Sequence, residues 1–278
     1  MMNSGKRLTD QQILDFESTY SVLGVSKDRP QFFYHYTSLA GLEAILTDKQ
    51  LRNSHILDMR NDVDEFTHGM TMFAKEVEKF VAKGFHPGVG KNVQEFFGKE
   101  MKDPAGAPCI LCTTPEPNKE YHWKEYAGDG TGYCLKIDSS LFEAKNVIYD
   151  EITQAQLIHQ IGQQFLKLLN ALDLSIRQNN TDAVQAYFLV SYFQSLRFKK
   201  AKWADEAEWR AWTFVAREKL RTVRRPGTSD LRCEFISIDP LEKSIAEVIV
   251  GPKLDFVSEK AKLSAKFPNI QFVSAKTP

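Results

Sequence analysis

Four short sets of residues in this chain have the types and spacing to do chemistry. His35, Tyr36 and Thr37 close an aromatic-rich segment. Arg60, Asn61, Asp62 and Glu65 sit around a turn signal. His122, Trp123 and Tyr126 precede a glycine-rich GDGTG. Glu208 and Arg210 alternate within EAEWR. Among them are an imidazole able to hold a hydroxyl, rings able to stack on a flat ligand, and carboxylates able to move a proton or meet positive charge. Each set also has a plain structural reading: a satisfied histidine, a solvated carboxylate, a core tryptophan, a surface ion pair between Glu208 and Arg210.

The elements that would position these residues follow from pattern. Phe32 to Tyr36 suits a strand. Ser38 is a good N-cap, and Leu39, Leu42, Ile45 and Leu46 recur at helical spacing, so the first set lies where a strand runs into a helix. Binding groups are often held at such junctions. A second strand is expected at 50–56, then a helix opened by Asp64-Glu65 and carried to Val81 by Phe66, Met70, Phe73, Val77 and Phe80. Further strands are expected at 109–114, 133–137 and 146–149, with a long polar loop, PEPNKEYHWKEYAGDGTG, after the first of these. Late strands are expected at 212–216, 237–238, 246–250 and 270–273, and a final helix at 258–266. Around Trp209, alternation puts Trp209 and Ala211 on one face and Glu208, Arg210 and Trp212 on the other.

Two long helical patterns, 151–178 and 182–196, are separated by Asn179-Asn180-Thr181 and read as an antiparallel hairpin. Shorter helices are expected at 10–23 and 93–101. The hairpin divides the strands into two groups. The expected organisation is therefore an N-terminal helical extension over 1–30 and a single α+β domain over 31–278, with a helical insertion at about 151–197.

Composition narrows the function classes. Of 278 residues, 42% are hydrophobic, 26% charged and 12% aromatic, as in an ordinary globular protein. Lysine plus arginine equals aspartate plus glutamate, 36 each, so no global basic field draws the chain to nucleic acid or anionic lipid. Arg217, Lys219, Arg221, Arg224 and Arg225 make either a local basic edge or a solvated loop. No segment approaches the roughly 20 apolar residues of a membrane span. MMNSGKRLTDQQ lacks the apolar core of a secretory signal, which predicts a cytoplasmic protein. Cys109 and Cys112 form a C-x-x-C, but Ile110-Leu111 between them reads as strand and no second pair completes four ligands, so no metal is expected. There is no G-x-G-x-x-G after a strand, no P-loop and no G-x-S-x-G.

In order, HYTSLAGLEAIL, RNDVDEF, CTTPEPNKEYHWKEYAGDGTGYCLKID, FKKAKWADEAEWR and IAEVIVGPK resemble the bacterial DUF2971 family over Phe32 to Lys253. Relatives tend to carry Cys-Phe-Ser-Glu where this chain has Cys112-Thr113-Thr114-Pro115, so no role is transferred there. That family is similar in turn to the ADP-ribosyltransferase superfamily. The resemblance implies a split mixed or antiparallel β-sheet core with NAD bound in a cleft as a substrate.

By position, it gives His35 the ribose contact, Tyr126 or Trp123 the ring beside nicotinamide, and Glu208 the catalytic carboxylate. Tyr36 and Thr37 border the same junction, and Arg60, Asn61 and Arg210 are left for the phosphates or the acceptor. Cleaving the glycosidic bond of NAD passes through an oxocarbenium-like state, which explains the need for a carboxylate. The implied protein is an NAD-consuming transferase acting on a protein or nucleic-acid acceptor, as a bacterial toxin or defence effector would. The competing readings are a nucleotide- or nucleic-acid-binding module without turnover, and an interaction protein with a vestigial cleft.

Overall fold

The computed structural model describes residues 28–59, 63–82, 107–170, 181–224 and 230–275, with isolated positions among 11–19 and 91–99. Arg60 and Asn61 lie outside the described residues. So do most of the helices expected at 10–23 and 93–101 and the end of the one expected to reach Gln178. Among the described residues, no helix is long and apolar enough to cross a membrane. The chain is α+β, with one mixed and one antiparallel sheet, and its contacts divide it into two compact units.

The first unit is helical. We number helices and strands in chain order, so its helices are α2 (Val63–Ala82), α4 (Glu151–Asn170) and α5 (Thr181–Ser195). They meet through aromatic side chains. Phe73 of α2 stacks on Phe198 at 5.9 Å, and Phe165 of α4 stacks on Tyr187 of α5 at 4.4 Å. Gly69 lets α2 approach α5 closely, because a Cβ there would lie 2.7 Å from the Ser195 Cα. The two helices expected at 151–197 both fall in this unit.

The second unit carries both sheets. Strand β1 (Phe32–Thr37) runs into α1 (Leu39–Asp48), as expected. The Ser38 hydroxyl accepts from the Gly41 amide at 3.2 Å, Leu42 and Leu46 are buried, and Lys49 ends the helix in the left-handed region. Then come β2 (Gln50–His55), β3 (Ala107–Thr113), α3 (Glu120–Tyr126), β4 (Tyr133–Asp138) and β5 (Ala144–Asn146). After the helices of the first unit follow β6 (Trp209–Val215), β7 (Arg221–Val223), β8 (Leu231–Ser237), α6 (Leu241–Ser244), β9 (Ile245–Val250), α7 (Phe256–Lys266) and β10 (Phe272–Ser274).

The four-stranded sheet has the order β1-β4-β9-β10, antiparallel except for β9–β10. The six-stranded sheet has the order β5-β6-β3-β2-β8-β7 and is antiparallel throughout. The two sheets share a core in which Phe33 of β1 meets Trp209 of β6 at 5.5 Å.

Three expectations are corrected. The polar loop after β3 contains α3, because His122 and Trp123 bury against the sheets and two packed turns suffice to fold it. The strand expected at 212–216 begins at Trp209, so Arg210 lies inside a central strand. Strand β8 extends back to Leu231, with Leu231 and Cys233 buried between exposed or half-buried charges.

Candidate functional site

At Tyr34 the two sheets touch. Its amide donates to the Thr114 carbonyl at 2.8 Å, and the Thr114 amide donates back at 3.1 Å. Beyond that bridge β1 and β3 part. Backbone groups alternate in direction along a strand, so the N–H and C=O of Tyr36 point the same way as those of Tyr34. They face the gap, and among the described residues no strand pairs with them there. Side chains alternate too. His35 and Thr37 line a cavity of about 350 Å³, whose other walls include Ile45 of α1, Arg52 of β2, and Ile110 and Cys112 of β3.

The Nδ1 of His35 lies 3.3 Å from the Cys112 carbonyl. A carbonyl only accepts, so Nδ1 carries the proton and Nε2 is left as an acceptor. Burial lowers the pKa of His35 and the positive charge of Arg52 lowers it further, outweighing the Cys112 hydrogen bond. The ring is neutral near pH 7. The tautomer makes His35 an acceptor at Nε2.

Tyr36 points to the opposite face of β1. Its ring stacks on His122 at 5.0 Å and meets Trp123 edge-on at 4.9 Å. Trp123 is buried, and its indole N–H donates to Asn118 at 2.9 Å, so it serves packing in this arrangement. Beyond His122, the Tyr126 hydroxyl donates to Glu206 Oε1 at 2.7 Å and the Tyr121 hydroxyl to the same oxygen at 3.4 Å. Burial and the charge of Glu206 push the Tyr126 phenol well above its ordinary range. His122 donates from Nε2 to the Glu206 carbonyl at 2.9 Å, and its buried Nδ1 has no partner. Burial lowers the pKa of His122 and keeps it neutral.

Ala207 follows Glu206 with φ +43°, a left-handed conformation that costs a non-glycine residue energy. Glu208 comes next. Its carboxylate takes two hydrogen bonds from Arg210, Nε to Oε1 at 2.8 Å and Nη2 to Oε2 at 3.0 Å. The surface ion pair that composition suggested is in fact buried, with side-chain exposures of 5% and 2%.

Tyr36, Trp123, Tyr126, Glu208 and Arg210 thus belong to one aromatic and ionic cluster, while His35 and Thr37 line the cavity. The two places are close in strand order. His35 reaches the Cys112 carbonyl, and Cys112 is paired in register with Arg210. Sequence reasoning missed Arg52, Tyr121 and Glu206. Arg52 alternates with buried Leu51 and Asn53 in β2, a pattern visible in LRNSH. Glu206 gave no comparable signal, because its partners come from α3, which was read as a loop.

Among the described residues, no cluster of His, Cys, Asp and Glu has the arrangement of a metal site. Cys109 and Cys112, three apart on a strand, face opposite sides of β3. No curated protein and no solved structure matches this chain. Residues 122–211, the stretch that holds α3 from His122 onward together with Glu206, Glu208 and Arg210, match the model of the family described as Protein of unknown function (DUF2971).

Proposed function

We propose that the second unit binds a nucleotide at the split between its sheets, with NAD as the ligand and an ADP-ribosyltransferase-like reaction as its use. The observation that carries this reading is the open edge of β1. A primary carboxamide presents an N–H beside its C=O, the complement of the C=O and N–H that Tyr36 turns toward the gap. Nicotinamide is such a carboxamide. Beside it, His35 Nε2 accepts from a ribose hydroxyl, and Arg52 meets phosphate charge. A cavity of about 350 Å³ lies near the lower end of ligand sites, which run to roughly 1,000 Å³. It suits nicotinamide with its ribose, with the adenosine half outside. Two sheets joined at Tyr34 and parting beyond it are consistent with a split-sheet fold of the ADP-ribosyltransferase kind.

In this reading Glu208, across β3 from the cavity, stabilises the oxocarbenium-like centre as the bond to nicotinamide breaks. Arg210 holds the carboxylate until the nucleotide is bound. The transferred ADP-ribose goes to a protein or nucleic-acid nucleophile, in the setting of a bacterial toxin or defence effector.

One observation favours a second reading, nucleotide binding without turnover. The carboxylate of Glu208 is already neutralised by Arg210 and is not among the cavity walls. Calorimetric titration with NAD and with ADP-ribose, together with nicotinamide release in the presence of cell extract, separates the two. Release that Glu208→Gln abolishes, with NAD affinity kept, supports the transferase. Binding without release supports the second reading. No binding by folded protein overturns both and leaves an interaction protein with a vestigial cleft.

A further inference from the structure

Helix α3 directs three side chains onto one residue. Tyr121 and Tyr126 donate to the Glu206 carboxylate, and His122 donates to the Glu206 backbone carbonyl. The next residue is Ala207, in a left-handed conformation that persists only where its surroundings impose it. The residue after that is Glu208, delivered onto Arg210. Helix α3 therefore grips the turn from the side preceding the strained residue, while the Glu208–Arg210 pair and the Val147 amide, which donates to the Glu208 carbonyl at 2.9 Å, hold it from the side following. Of the three grips, only that of His122 is on the backbone, so it acts on the direction of the chain itself.

We infer that His122 is the positioning residue for Glu208, and that it links Glu208 to the nucleotide edge of β1. The link runs through Tyr36. Its ring lies flat on the His122 imidazole at 5.0 Å with an interplanar angle of 17°, and its backbone is the edge that receives the carboxamide. The side chain of His122 makes no other hydrogen bond among the described residues, since Nδ1 is buried and partnerless. The Nε2 contact and the stack on Tyr36 thus fix the ring between the two places. A histidine serving packing alone would be replaceable by a residue of similar shape without effect on Glu208. The catalytic consequence rests on the nucleotide reading; the positioning does not.

The test uses the full chain and the Arg210 Nε–H, which donates to Glu208 Oε1 and reports that pair directly in ¹⁵N NMR. In His122→Ala this signal should lose its native position and its protection from solvent exchange. His122→Gln has an amide N–H that can reach the same carbonyl and should restore both. In nicotinamide release, His122→Ala should lower kcat about 10- to 100-fold, the scale of a misplaced catalytic group, with KM little changed. His122→Gln should recover most of that loss. An unchanged Arg210 signal in folded His122→Ala overturns the inference, as does an effect confined to KM. Should His122→Ala fail to fold, His122→Phe keeps a ring against Tyr36 but has no N–H for the Glu206 carbonyl, and must shift the same signal; no shift overturns the inference. If the wild-type protein releases no nicotinamide, the transferase reading falls, while the Arg210 signal still decides the positioning.

Discussion

Replacing Arg210 by methionine is the most informative single perturbation of this protein. The guanidinium makes two hydrogen bonds to Glu208, at 2.8 and 3.0 Å, and the two side chains are 2% and 5% exposed. Arg210→Met leaves a carboxylate in a place built for its neutral pair. Breaking a buried pair from one side typically costs about 3–5 kcal/mol, whereas an exposed pair is worth about 0–1 kcal/mol. Glu208→Gln removes the carboxylate charge facing the guanidinium instead and should cost a similar amount. Replacing both removes the mismatched charge, so the double variant should be more stable than the sum of the single losses predicts. A coupling energy of about 3 kcal/mol is expected for contacting residues of this kind. Urea denaturation at pH 7, followed by tryptophan fluorescence, measures it. With a slope of about 2–3 kcal/mol per molar urea, each single variant shifts the midpoint down by roughly 1–2 M. A single loss below about 1 kcal/mol, or strict additivity in the double variant, would show that the pair behaves as a solvated one and that its burial is misread.

Other expectations are independent of that pair. Phe33→Ala removes a fully buried ring packed on Phe142 and Trp209 and should cost about 3–5 kcal/mol in the same denaturation assay. Gly251→Ala should destabilise by more than an ordinary surface change, because the added Cβ would lie 2.4 Å from the Gly130 carbonyl oxygen; a thermal midpoint equal to wild type would contradict the close approach. Burial pushes the Cys109 thiol up to about 12, so iodoacetamide at pH 8 should modify half-buried Cys112 first, and bound NAD should slow that reaction. Mass-spectrometric mapping that finds Cys109 labelled first would refute this order. Burial raises the Asp58 pKa, but hydrogen bonds from Arg232 outweigh it, so the folded value lies below 3.8. The pair's contribution is then complete above the unfolded pKa of about 3.9 and lost as pH falls through the lower folded value. Arg232→Gln should be less stable than wild type at pH 7, and the gap in denaturation midpoints should close below about pH 4.

Much of the fold was legible because it is written in short-range patterns. Ser38 with Leu42 and Leu46 announced a capped helix. Alternation around Trp209 set Trp209 and Ala211 on one face, which the fold buries in the core, and Glu208, Arg210 and Trp212 on the other. Helix α3 was illegible because its seven residues make only two turns, too few for an apolar stripe to stand out, and its buried aromatics form a helix only by packing against strands distant in sequence. Leu231 and Cys233 of β8 did alternate, but Arg232 between them and Glu234 after them masked a run that pairing with β2 made a strand.

The candidate site divides along the same line. The sequence by itself determined that His35 and Tyr36, as neighbours on a strand, must face opposite ways, and that Glu208 and Arg210 share a face. These follow from the two-residue repeat of a strand. Only the tertiary structure decided that Tyr36 stacks on His122, that α3 grips Glu206, and that the Glu208–Arg210 pair is buried rather than solvated. The first two join residues 80 or more positions apart, and the burial of the third depends on the strands and helix around it. They are set by how strands register and where two sheets part, which local spacing does not encode.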